Sequence, residues 1–179
     1  IESGMSDKFL VGGSEAPLTD FTVAQMRALG VYAKETSQWS CAPLMTGRNG
    51  NNMVLGEGAS MFSLEKDEGQ NSLARIIGLG YGTEVIEHNA SLSADADCMQ
   101  KSMRMALDSA GLSKVDVVIM RAPGTNQGDQ SELKAVNEIL GEGTTHIIST
   151  KHQSGHTLGA SGVVSLDLAV EMLQRGEVV

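Results

Sequence analysis

The chain has 179 residues, 41% of them hydrophobic and only 3% aromatic, with 21 Gly and 10 Met. That is enough for one core, or for parts of two related layers, packed closely from aliphatic, small and thioether side chains. The formal charge of −9 argues against nucleic acid and anionic membrane surfaces as partners, since both attract basic proteins.

In chain order, 7–12 is a short apolar run that reads as a buried strand closed by a Gly12-Gly13 turn. Thr19 or Asp20 then caps a helix carrying Phe21, Val23, Met26 and Leu29 and ending at Gly30. Periodicity disappears over 31–52, where Ser, Gly, Asn and Pro mark loops. Residues 53–65 and 73–82 are apolar and Gly-punctuated, and predict two antiparallel strands joined by a charged turn over 66–71.

Between Ser93 and Gly111, Met99, Met103, Ala106, Leu107 and Ala110 form one helical face, read as core packing. A strand over 115–120 follows, then a helix over 129–140 with Leu133, Val136 and Leu140 inward, a strand over 146–150 and a helix over 154–174. Such alternation predicts an α/β sheet covered by helices.

Cys41 and Cys98 lie far apart without a Cys-x-x-Cys or a His at ligand spacing, so neither a zinc site nor a disulfide framework is expected. Neither has the small-residue context of a nucleophile elbow. No metal or other cofactor is expected. No secretory signal and no apolar run near about 18 residues is visible, which points to a reducing cytoplasm. The start at Ile1 and the stop at Val179 both look cut from a longer protein.

Lys151-His-Gln-Ser-Gly-His156-Thr-Leu-Gly-Ala-Ser-Gly162 sits where a strand runs into a helix. At a helix N-terminus, backbone N–H groups and the macrodipole oppose imidazolium formation, so His156 there is a neutral hydrogen-bond donor. A lone His in such a place is more often a capping residue, but the wider pattern resembles the second histidine motif of the β-ketoacyl-acyl-carrier-protein synthases, members of the thiolase-like superfamily. Other segments agree in order. Phe9-Leu-Val-Gly-Gly-Ser-Glu-Ala-Pro17 is similar to the strand after the family's nucleophile helix. Val54-Leu-Gly-Glu57-Gly-Ala59 is similar to its Gly-Glu-Gly-Ala strand, with Arg48-Asn49-Gly50 just before it. Ala106-Leu-Asp-Ser-Ala-Gly-Leu112 resembles the helix before its first histidine strand.

The resemblance implies a dimeric protein of five α/β/α/β/α layers. Residues 1–66 would end the first of its two halves, and 72–179 would form most of the second. It also implies that Lys151 and His156 bind and polarise a malonyl thioester on an acyl carrier protein. Glu57, Thr125 and Asp129 take supporting places.

Three departures from the pattern bear on activity. Where the family has Ala-His-Gly-Thr, this chain has Ala122-Pro123-Gly124-Thr125, and proline supplies no donor. The following stretch, Asn126-Gln127-Gly128-Asp129, is two residues shorter than usual, although Glu132-Leu133 still aligns; Asn126 and Gln127 are the nearest donors that could compensate. Where the family's Glu pairs with the Lys, nine residues after the second His, this chain has Ser165, which leaves Lys151 without that partner and open to a reading as a solvated or backbone-bonded lysine.

The family's nucleophilic Cys would lie upstream of Ile1. Two readings result: an impaired subunit, like a chain-length factor, paired with an active ketosynthase, or a 3-oxoacyl synthase whose Cys lies upstream. Lys101 and Arg104 lie close together, but the acidic balance disfavours this chain as the main carrier-protein docking surface.

Overall fold

The computed structural model describes residues 4–34, 41–45, 47–66, 72–85 and 92–178. Most of the 66–71 turn lies outside the described residues, as do Ile1 and Val179. The elements run β1 (Lys8–Glu15), α1 (Asp20–Ala28), β2 (Gly58–Glu65), α2 (Asp97–Ala110), β3 (Val117–Ile119), α3 (Asn126–Leu140), β4 (His146–Ile148), α4 (Lys151–Ser154) and α5 (Ser161–Arg175). A mixed α/β fold is therefore present, in two small sheets.

β1 pairs antiparallel with β2 in a register running from Lys8↔Glu65 to Glu15↔Gly58. This corrects two expectations. The glycines at 12 and 13 do not close the strand in a turn; they continue it, because a Cβ at Gly12 would come 2.7 Å from the Ser60 carbonyl oxygen and one at Gly13 3.2 Å from the Val163 side chain. They permit a close sheet and a close approach of α5.

The strand partner of 58–65 is also not 73–82. That segment joins no ladder among the described residues and runs instead along α2. A Cβ at Gly78, Gly80 or Gly82 would fall 2.3, 1.8 or 2.2 Å from the carbonyl oxygens of Ala106, Ser102 and Cys98. Every second residue of the segment thus meets one turn of the helix, a match between the strand and helix repeats that only glycine permits.

α2 begins later than its apolar pattern. The Glu84 carboxylate, nearby in the chain, accepts the Ser93 and Cys98 N–H groups (2.8 and 3.1 Å), and Gly111 ends the helix at φ +67°. Its Met99–Met103–Leu107 face is half-buried. Thr19 caps α1 by accepting the Thr22 N–H at 3.2 Å, as the sequence suggests.

β3 and β4 form a parallel pair, Val117↔His146 to Ile119↔Ile148, joined through α3. Beyond β4 the expected single helix is broken. α4 stops at Ser154, Gly155 takes φ +68°, Leu158–Ala160 form a 3₁₀ turn, and α5 starts at Ser161. The break has a tertiary cause: the His156 N–H bonds the Val54 carbonyl (2.7 Å) and the Gly56 N–H bonds the His156 carbonyl (3.1 Å). A Cβ at Gly56 would overlap the Ser154 carbonyl oxygen at 1.8 Å. Intersegment backbone pairing thus displaces helix here, and His156 lies just ahead of the 3₁₀ turn that leads into α5.

Candidate functional site

Ligands of open α/β sheets gather beyond the carboxyl ends of the strands. Here that edge carries the turn 121–125 after β3 and Lys151 after β4. The turn is an unusual shape for its sequence, with Ala122 at φ +31° and Gly124 at φ +83°. Buried carboxylates of α3 hold it. Glu132 accepts the Arg121 and Ala122 N–H groups at 2.6 and 2.8 Å, and Asp129 accepts that of Gly124 at 3.0 Å.

The loop over 41–52 clamps the same turn from the other side. Arg48 Nη2 lies 2.8 Å from Asp129 Oδ2, in a pair whose side chains are 10% and 4% exposed. The same guanidinium donates to Asn126 Oδ1 (2.6 Å), the Ala42 carbonyl (2.8 Å) and Asn52 Oδ1 (3.1 Å). The Leu44 N–H adds a bond to Asp129 Oδ2 (3.3 Å), and Asn52 N–H one to the Gly124 carbonyl (2.8 Å). Among the described residues no buried side-chain nitrogen or oxygen lacks a hydrogen-bond partner, the condition under which buried charge is tolerated.

Pro123 is buried inside this clamp, and Cys41 Sγ stands 4.0 Å from its carbonyl oxygen. Burial, with the Asp129 charge adding, pushes the Cys41 thiol up, a direction that disfavours the nucleophilic thiolate. Burial and the Glu84 carboxylate likewise raise the Cys98 thiol. Of the two donors nearest Pro123 in sequence, Asn126 is held through its carbonyl oxygen, which accepts from Arg48, and the Gln127 amide donates to the Leu92 carbonyl at 3.4 Å.

Lys151 is 3% exposed, which removes the solvated-lysine reading. Burial holds its ammonium below the ordinary lysine range, opposed first by the Glu132 carboxylate. Glu132 is itself raised by burial and steadied by the Ala122 and Arg121 N–H groups it accepts. Ser165 is half-buried on α5. Asp129 and Glu132, one helical step apart on a face that also buries Ala135 and Val136, were the sequence signal for these two buried carboxylates.

His156 accepts the Leu158 N–H at Nδ1 (3.0 Å), so its remaining proton sits on Nε2. Burial first, then the Lys151 and Arg121 charges, lower it to about 4 from 6.5. The ring is thereby held neutral at neutral pH, with Nε2–H as its donor. Because the unfolded ring binds a proton that the folded ring refuses, stability falls with acidification between these two values. His156→Gln should remove about 2 kcal/mol of the stability lost between pH 7 and 5, seen by denaturant titration of variant and parent at both pH values.

Thr125 precedes α3, its carbonyl accepting the Asp129 N–H at 2.9 Å. Glu57 stands outside this cluster, exposed, and accepts the Leu18 N–H ahead of α1 at 3.2 Å. Among the described residues no His, Cys, Asp and Glu side chains converge in a group suited to a metal ion, and no helix is long and apolar enough to cross a membrane.

Comparison with known proteins gives these residues a context. Residues 73–179 match the family described as Beta-ketoacyl synthase, C-terminal domain, and residues 1–70 match Beta-ketoacyl synthase, N-terminal domain. The chain is 34% identical over 173 residues to 3-oxoacyl-[acyl-carrier-protein] synthase 2 of Staphylococcus aureus, a match covering 90% of this chain and 42% of that protein. It therefore spans less than half the length of that relative.

Among solved structures, it is similar to a chain of a type II PKS acyl-carrier protein in complex with its ketosynthase bound to the hexaketide. The TM-score is 0.85 at 27% identity, over 96% of this chain and 44% of that one. A chain of the ketosynthase in complex with its chain length factor from Xenorhabdus doucetiae gives a TM-score of 0.82 at 26% identity, over 97% and 41%. These neighbours share a thiolase-like α/β fold.

Proposed function

Because this chain belongs to the β-ketoacyl synthase family, we propose that it is part of a synthase-like subunit that does not itself condense and that serves as the partner of an active ketosynthase, in the manner of a chain-length factor. The observation that carries this reading is Pro123: a buried residue with no donor, at the position where the resemblance calls for a histidine. Residues 1–66 and 72–179 fit the end of one thiolase-like half and most of the next.

In the reaction of such a site, a malonyl thioester loses its carboxylate as CO₂. The electrons of the broken C–C bond move onto the thioester carbonyl as an enolate, which two donors would steady. His156 Nε2–H is one. Lys151 and Glu132 are buried nearby. The second donor is absent at Pro123, and loss of one such donor costs about 2.7 to 4 kcal/mol of transition-state stabilisation.

A carrier-protein-bound acyl chain fits as the ligand, because the neighbours include a ketosynthase with its carrier protein and another with a chain length factor. Two reduced thiols suit a cytoplasmic protein. The test is chain extension by the full-length protein, alone and with the ketosynthase that co-purifies with it. Product should require both. Extension by this protein alone would overturn the reading.

A further inference from the structure

We propose that Asn49 is a site of spontaneous covalent modification: its side-chain amide is lost to attack by the Gly50 backbone nitrogen, and the isoaspartate that results loosens the clamp on the turn 121–125. The site is separate from the residues given a role toward the thioester.

Asn49-Gly50 is the single Asn-Gly step in the sequence. Asn49 is exposed, and neither its amide nor the Gly50 N–H has a hydrogen-bond partner among the described residues. Gly50 takes φ +129°, and a Cβ there would meet nothing within 4 Å, so no neighbour crowds the step. The asparagines around it are held. Asn51 Nδ2 donates to the Gly30 carbonyl (3.0 Å), while its Oδ1 accepts the Asn126 N–H (2.9 Å). The backbone nitrogen that would attack Asn51 is that of Asn52, and it donates to the Gly124 carbonyl at 2.8 Å. Asn52 Oδ1 accepts from Arg48 at 3.1 Å and Asn126 Oδ1 at 2.6 Å, and Asn137 lies within α3.

The Gly50 nitrogen, giving up its proton, bonds to Asn49 Cγ. The Cγ–Nδ2 bond breaks, and Nδ2 leaves with that proton as ammonia. Water then opens the cyclic imide, its hydroxyl going to a carbonyl carbon and its other proton to the Gly50 nitrogen. Opening at Cγ gives aspartate. Opening at the Asn49 main-chain carbonyl carbon gives isoaspartate, whose main chain runs through Cβ and Cγ and is one atom longer.

The added atom matters because both ends of the step are tied to one residue. Arg48, before it, donates to the Asn126 side chain, and Asn51, after it, accepts the Asn126 N–H. Asn49 and Gly50 alone bridge these anchors. Arg48 also pairs with Asp129, and Asn52 with the Gly124 carbonyl, so a longer bridge gives up bonds on one side or the other. Both sides hold the turn 121–125.

The test holds folded full-length protein at mildly alkaline pH beside a free peptide of residues 45–55. Each is sampled over time and followed by mass mapping and by methylation with an isoaspartate-specific methyltransferase. In the folded protein, conversion at Asn49 should precede that at Asn51, Asn52, Asn126 and Asn137, and its rate should lie within about tenfold of the peptide's, since no local opening is required. A slower rate, or earlier conversion at any of those four, would overturn the proposal. The isoaspartate form, separated by the negative charge it gains, should unfold at lower denaturant than the parent. Asn49→Asp, with the same charge on an ordinary main chain, should stay near the parent. Asn49→Gln, whose longer side chain disfavours ring closure, should keep its midpoint through the same incubation. An isoaspartate form as stable as the parent, or an Asn49→Asp protein as weakened as the isoaspartate form, would also overturn it.

Discussion

Arg48→Met should cost the full-length protein about 3 to 5 kcal/mol of stability, the effect of leaving one member of a buried ion pair unpaired. Asp129 would then keep its charge almost wholly enclosed, with only the Gly124 and Leu44 N–H groups to steady it. Arg48 also satisfies the Ala42 carbonyl, Asn126 and Asn52, so the variant orphans several acceptors together. Asp129→Asn should cost less, because an amide oxygen can still accept the Gly124 N–H. Denaturant midpoints of parent, single and double variants measure this. A coupling below about 1 kcal/mol would mean the clamp contributes no more than a surface pair.

Pro123→His should raise decarboxylation of a malonyl thioester by the full-length protein roughly 10²- to 10³-fold, the value of one restored donor. Decarboxylation is the informative step because it requires the enolate donors and not the nucleophilic thiol. The turn is already shaped for the replacement: Glu132 and Asp129 hold it through backbone N–H groups on either side of residue 123. Cys41 bounds the space behind it. Release of CO₂ and acetyl thioester, followed by mass, gives the rate. An unchanged rate would place the impairment elsewhere, with the Asn126–Asp129 shortening as the next candidate.

The sequence told more about the residues than about their neighbours. The stripes of α2 and α3 and the apolar runs at β3 and β4 were legible because their periods are local. The break at Gly155 was not, because it depends on Val54 and Gly56, about a hundred residues earlier, drawing the His156 backbone into pairing. Likewise the glycines at 78, 80 and 82 carry a strand-like period, but what they fit is a helix surface. At the site, Lys151, His156 and Pro123 were marked by their motifs. The seating of the 121–125 turn on Glu132 and Asp129 depends on the carboxyl edge of the β3–β4 pair, which no single segment displays.

Chain extension with purified full-length protein bears most directly on the central claim. An acyl primer and a malonyl thioester, both on a carrier protein, are supplied to the protein alone, to the ketosynthase that co-purifies with it, and to the two together. The account predicts β-ketoacyl product only from the two together. Product from this protein alone, at a rate comparable with the pair, would contradict it.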